Sequence, residues 1–344
     1  MDTRMNRRQV MAGAAGITAA IVASNPFSIS AQELSWEQLA PAGDAPPARW
    51  DHHLAADAED GILLLYGGRD GDGASFSDTW VYDIAAGTWS LLDLEAPAPR
   101  FGSAIAEDRT KRRLYLFGGE DGTTFYNDTW RFDFKSMTWR LQDDGASTAP
   151  TPRYGLGGSL DANDNFVISH GFTFEGRFDD TWTFDTREKV WTDTSSSPET
   201  RPLKRCLHEL AYDPESGRII LFGGCSSGFG PCPQGDLWSY DPQTAAWTNI
   251  TPASGPTARS NPAMVWDEVN GRAILFGGQS DAGQVADLWE GRFTDSGFAW
   301  IELSAGETPP ARSSHDAVIL DGTLYVFGGT SPNGTLSDLW RLKL

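Results

Sequence analysis

Long hydrophobic runs are missing from most of this chain. After residue 23 no stretch approaches the ~20 apolar residues that cross a bilayer as a helix, so the mature protein is expected to carry no membrane span. Basic residues are in short supply: Lys and Arg total 27 against 47 Asp and Glu, a formal charge of −20. A surface that acidic repels phosphate backbones and anionic lipid, which argues against a nucleic-acid partner. The zinc-protease string H-E-x-x-H and the phosphate-binding glycine loop are absent. Cysteine occurs three times and histidine five times, without the usual ligand spacing, so neither a metal nor another cofactor is expected. Glycine, by contrast, is abundant at 37 residues, and aromatic residues make up 12 %. That composition argues against disorder and points to short strands joined by tight turns.

The first 31 residues have a character of their own. Arg4, Arg7 and Arg8 precede a moderately apolar, Ala/Gly-rich stretch from Met11 to Ala23, and small residues follow at Ser28, Ser30 and Ala31. This order suits a cleaved secretory signal. The Arg7-Arg8 pair followed by Gln9-Val10-Met11 resembles a twin-arginine export signal. The expected organisation is therefore an export signal over 1–31 and one domain over 32–344, placed in the periplasm or outside the cell.

That domain is written six times. Each copy begins with an arginine, at Arg49, Arg100, Arg153, Arg205, Arg259 and Arg312. Two short apolar strands follow, and the second ends at a glycine pair such as Gly67-Gly68 or Gly223-Gly224; the third copy has His170-Gly171 instead. A variable loop then leads to Asp-x-Trp, beginning at Asp78, Asp128, Asp180, Asp236, Asp287 and Asp338. A closing tryptophan comes later, at Trp89, Trp139, Trp191, Trp247 and Trp300. Runs such as RIILFGG read as buried strands bounded by glycine. The pattern resembles kelch repeats, the four-stranded blades of a β-propeller. The expected fold is all-β, a six-bladed propeller of four-stranded antiparallel blades. The sixth copy lacks its closing tryptophan, and LSWEQLAPAGDAPPAR at 34–49 matches AWIELSAGETPPAR at 299–312. Trp36 is therefore expected to supply the outer strand of the last blade.

With strands a to d counted from axis to rim, antiparallel order puts the b–c and d–a connections on one face. Function on a repeat scaffold concentrates on the face bearing variable loops. The six arginines and six aspartates belong near that face, and their strict repetition favours a scaffold role over an anion funnel.

Departures from symmetry carry the functional reading. The residue after each arginine is Trp50, Phe101 and Tyr154 in blades 1–3, but Cys206, Ser260 and Ser313 in blades 4–6. Phe125, Phe172 and Phe174 add to the aromatic side. With Arg100 and Arg153 beside them, these aromatics form the expected ligand surface, suited to stacking on a sugar or a partner protein. His52, His208 and His315, with Glu209 and Asp316 beside the last two and His53 beside the first, are the acid–base candidates. Cys206, Cys225 and Cys232 all fall in blade 4, where one pair is expected to be bridged; which pair stays open. The expected function is an exported, monomeric binding module for a protein or glycan of the cell envelope. The alternative is a small-substrate enzyme, a sugar mutarotase or a metal-dependent isomerase; sialic-acid mutarotases resemble this chain in size, blade number and export.

Overall fold

The computed structural model describes residues 34–146 and 148–344, so the export signal expected over 1–31 lies outside the described residues. Six four-stranded antiparallel sheets follow one another. Blade 1 shows the plan: strand a His53–Asp57, b Ile62–Tyr66, c Thr79–Asp83 and d Thr88–Leu91. Strand a neighbours strand a of the next blade in a closed cycle, with blade 6 beside blade 1. The apolar clusters lie between consecutive blades. Leu54, Leu63 and Tyr82 of blade 1, for instance, pack on Val318, Tyr325 and Phe327 of blade 6. Each sheet is thus buried on both faces, which is why strands b read as unbroken apolar runs.

Blade 6 closes as its truncated repeat requires. Its strand d is Trp36–Leu39, paired to the C-terminal strand Leu339–Lys343 in the register Trp36 to Leu342 and Leu39 to Leu339. The first and last strands of the described residues therefore share one sheet. Among the described residues the only helix is the 3-10 turn Pro198–Thr200, and no helix is long and apolar enough to cross a membrane.

The repeated residues form one knot per blade. Arg49 donates to both carboxylate oxygens of Asp78, at 2.6 and 2.8 Å, and to the carbonyls of Gly67 and Pro47. Trp80 Nε1 donates to Asp78 Oδ2 at 2.7 Å. Bidentate geometry and full use of the guanidinium allow this ion to be buried. In blades 1–3 the same guanidinium stacks on Phe76, Tyr126 or Phe178. The second glycine of each pair meets the next blade. Gly68, at φ +95°, donates its N–H to Arg100 O, and a Cβ there would stand 2.7 Å from that of His52. Positive φ and close approach together require glycine. His170 breaks the pattern at φ +62° and is held by Nδ1 to Ser169 Oγ and an edge-on contact with His208.

Candidate functional site

Two connections per blade build the loop face, and a closed ring of hydrogen bonds forms its floor. The residue two places after each arginine donates its N–H to its counterpart in the preceding blade. The order is Asp51 to Ser314, Gly102 to Asp51, Gly155 to Gly102, Leu207 to Gly155, Asn261 to Leu207 and Ser314 to Asn261. All six have φ between +49° and +62°. A leucine at that φ costs on the order of 1–3 kcal/mol, and the ring of backbone bonds holds it there.

Above this ring, the residue after each arginine bridges the residue after each glycine pair. The pairs are Trp50/Arg69, Phe101/Glu120, Tyr154/Phe172, Cys206/Cys225, Ser260/Gln279 and Ser313/Thr330. Blades 1–3 thereby bring their aromatic rings into one arc. Trp50 lies 5.5 Å from Phe101, Phe101 6.0 Å from Tyr154, and Tyr154 5.7 Å from Phe172 and 6.2 Å from Phe125. Phe125 in turn meets Phe174 edge-on at 4.9 Å, and Phe174 is 76 % exposed. A guanidinium stands at each end. Arg69 lies over Trp50 and Phe101, and Arg177 over Phe172. Among the described residues neither arginine makes an ion pair. Glu120 and Asp51 lie nearby, and burial pushes both carboxyls up, Asp51 to about 6. Burial also raises the Tyr154 phenol.

Several residues read from the sequence move to other roles. Arg100 and Arg153 are at most 1 % exposed and saturated by Asp128 and Asp180, so they cannot reach a ligand. Burial pushes the Asp180 carboxyl up, but Arg153 and the Trp182 N–H outweigh it and hold the group below the usual range. Phe101 is buried under its neighbours and supports the arc rather than facing outward. Trp50, Tyr154, Phe125 and Phe172 are half-buried. The sequence reading missed Arg69, Arg177 and Glu120. Aligning the position after the glycine pair was the signal that could have found Arg69 and Glu120; Arg177 lies later in the blade 3 loop, paired across it to Phe172.

The acid–base candidates do not assemble. His52 packs edge-on against Phe327, His315 against Phe276 and His208 against His170, all between blades. Burial and neighbouring arginines hold these imidazoles far below their ordinary range, to about 3 for His208 and His315. Asp316 instead crosses to blade 1 and accepts the Leu54 N–H at 2.8 Å. In blade 4 the disulfide joins Cys225 to Cys232, and Cys206 remains a buried thiol although its backbone pairs with Cys225. Ser226 stands in a G-x-S-x-G string, Gly224 to Gly228, that the sequence reading passed over. Its Oγ is buried without a hydrogen-bond partner among the described residues, so no base activates it. Asp70, in a loop faintly like a calcium loop, caps the N–H groups of Asp72 and Ala74 in a local turn.

Propeller, Arg–Asp knots and variable loop face define a kelch-type scaffold. The model of the KLHDC2/KLHL20/DRC7 kelch-repeats domain matches residues 10–224 and 216–344, and the chain belongs to that family. Kelch domain-containing protein 10 of Rattus norvegicus is 25 % identical over 335 residues, covering 90 % of this chain and 79 % of the relative. A putative adagio-like protein 2 of Oryza sativa subsp. japonica is 28 % identical over 339 residues, 91 % of this chain and 52 % of that protein. The flagellar outer-arm dynein alpha chain of Chlamydomonas reinhardtii is 24 % identical over 263 residues, 72 % of this chain but 6 % of the relative. The chain thus spans about half of one of these relatives and a small fraction of another. Kelch propellers are in general protein-interaction modules.

Proposed function

We propose that this chain is an exported binding module that grips a protein segment on the aromatic arc of blades 1–3. The observation that carries the reading is the asymmetry of the mouth. Six equivalent bridges hold three aromatic-bearing pairs on one side and small polar or cysteine pairs on the other. A purely structural ring gives no reason for that difference. The half-buried rings offer stacking surface, and Arg69 offers an uncommitted guanidinium, while Arg177 is held by the Ser227 carbonyl and Cys225 Sγ. The complementary segment carries apolar or aromatic side chains next to acidic ones. A glycan ligand is the competing outcome of the same test.

The test immobilises the mature chain, collects envelope proteins and, separately, a glycan array, and repeats both with Trp50→Ala/Tyr154→Ala and with Phe174→Ala. Loss of one aromatic anchor costs on the order of 1.4–3 kcal/mol, or roughly tenfold or more in affinity. Protein binding that is equal in all three forms contradicts the arc. Binding confined to glycans replaces the protein segment with a sugar. Export is tested separately. Arg7→Lys/Arg8→Lys should leave precursor in the cytoplasm, and continued export would point to the general secretory route.

A further inference from the structure

The hydrogen-bonded ring that floors the mouth is also the ceiling of a second space. An axial cavity of about 260 Å³ lies beneath it, lined by Asp51, Asn261 and Ser314 of the ring but by none of the aromatic arc. It reaches the opposite face beside Arg109 and Glu268, both exposed. It is therefore a blind channel entered from the a–b turns, separate from the proposed ligand face.

Four places after each arginine, strand a presents His53, Ala104, Gly157, Glu209, Ala263 and Asp316. Three of these are small and leave room for the others. Asp316 is satisfied by the N–H groups of Leu54 and Ala317. Glu209 receives no hydrogen bond from the described residues, and burial together with the like charges of Asp316 and Asp51 pushes its carboxyl up. His53, 6 % exposed, also lines the channel, and its Nε2 is buried without a partner. The lining's one arginine, Arg109, sits at the outer mouth, where its Nε donates to Glu107 at 3.0 Å. The interior thus holds acceptors from several blades and no cation to meet them.

A half-buried carboxyl without a hydrogen bond and an unpartnered buried imidazole call for a donor. A divalent metal draws its ligands to within ~2.6 Å of one point, and no group of three such side chains converges among the described residues. Glu107 at the entrance is taken by the Ala56 N–H and Arg109, which leaves Glu268. Dispersed acceptors with this further carboxylate at the entrance suit an elongated cation with N–H donors at both ends. We propose that the axial channel binds a linear alkyl diammonium ion. One ammonium sits at Glu209, the other at the acidic entrance, and the stem runs along Ala104, Ala106 and Met264.

The experiment titrates 1,4-diaminobutane, n-butylamine, Mg²⁺ and Ca²⁺ separately into the mature chain by calorimetry. Saturable one-to-one binding of the diamine is expected, at least tenfold tighter than the monoamine, with no comparable binding of either metal. Glu209→Gln should weaken the diamine tenfold or more. Glu268→Gln, at an exposed site that does not support the fold, should erase the preference for diamine over monoamine. No saturable diamine binding, an affinity unchanged in Glu268→Gln, or tighter binding of a metal ion overturns the proposal. So does unchanged affinity in a folded Glu209→Gln.

Discussion

Arg153 gives up its hydration on burial and recovers it from Asp180, the His170 carbonyl and the Thr151 carbonyl. Removing one partner of such a pair strands the other, at a cost of about 3–5 kcal/mol. Arg153→Ala is therefore expected to lower stability by that order in urea unfolding, while the folded fraction keeps its ligand affinity; a selective affinity loss would return Arg153 to the binding surface. The closing tryptophans depend on smaller partners. Trp139, Trp191 and Trp247 donate to Thr79, Thr129 and Thr181 of the preceding blade. Leucine replaces that threonine in blades 4–6, and the Trp36 N–H, whose counterpart there is Leu288, is left without a partner. Thr181→Val should cost about 1–3 kcal/mol by stranding a buried donor, read as a lowered urea midpoint at unchanged slope.

Acidity acts at the same scale. Burial raises the Asp316 carboxyl to about 7 and that of Asp51 to about 6. The folded state thus holds protons that the unfolded chain releases near pH 4. Their contribution to stability is fully present below about pH 4 and is lost as pH rises to about 7. The buried histidines, with lowered values, act in the opposite sense below about pH 6.5. Comparing Asp316→Asn with the parent separates the two effects. The variant keeps an acceptor for Leu54 and should gain relative stability between pH 4 and pH 7, by on the order of a few kcal/mol. A constant difference across that range would show that Asp316 is ionised throughout.

Among the elements, strand Trp36–Leu39 has the largest consequence for its length. It covers the otherwise open edge of the C-terminal strand and buries Trp36 against Phe276 at 5.0 Å. Removing residues 34 to 40 should lower the melting temperature sharply, and an unchanged melt would contradict closure by this strand. Blade 4 differs from the others by its bridged loop. In denaturant without reductant one thiol, Cys206, should alkylate, and with reductant all three; three adducts without reductant would remove the disulfide. Blades and closure were legible because each position recurs: an arginine, a glycine pair or an Asp-x-Trp means the same thing in every copy. The cysteine pairing was not legible. Cys206 and Cys225 are neighbours across a bridge, and only the course of the loop brings Cys232 back to Cys225.

For the whole molecule, the hydrogen-bonded ring divides one axial space into an aromatic mouth and an acidic channel. The sequence marked blades 1–3 as different but could not say which of their side chains face outward. Arg100 follows the exposed Pro99 in the chain, yet it and Phe101 are buried. Arg69 and Arg177 reach the arc through cross-loop pairing, with Trp50 and with Phe172, that no single repeat displays. Under the proposed reading, scaffold and recognition reside in different aromatics. The most direct test measures ligand affinity and melting temperature together for two variants, Phe174→Ala on the arc and Trp130→Ala in an Asp-x-Trp knot. The expected result is a tenfold or greater affinity loss with an unchanged melt for Phe174→Ala, and a sharply lower melt with retained affinity of the folded fraction for Trp130→Ala. Affinity unchanged in Phe174→Ala, or lost in folded Trp130→Ala, would contradict it.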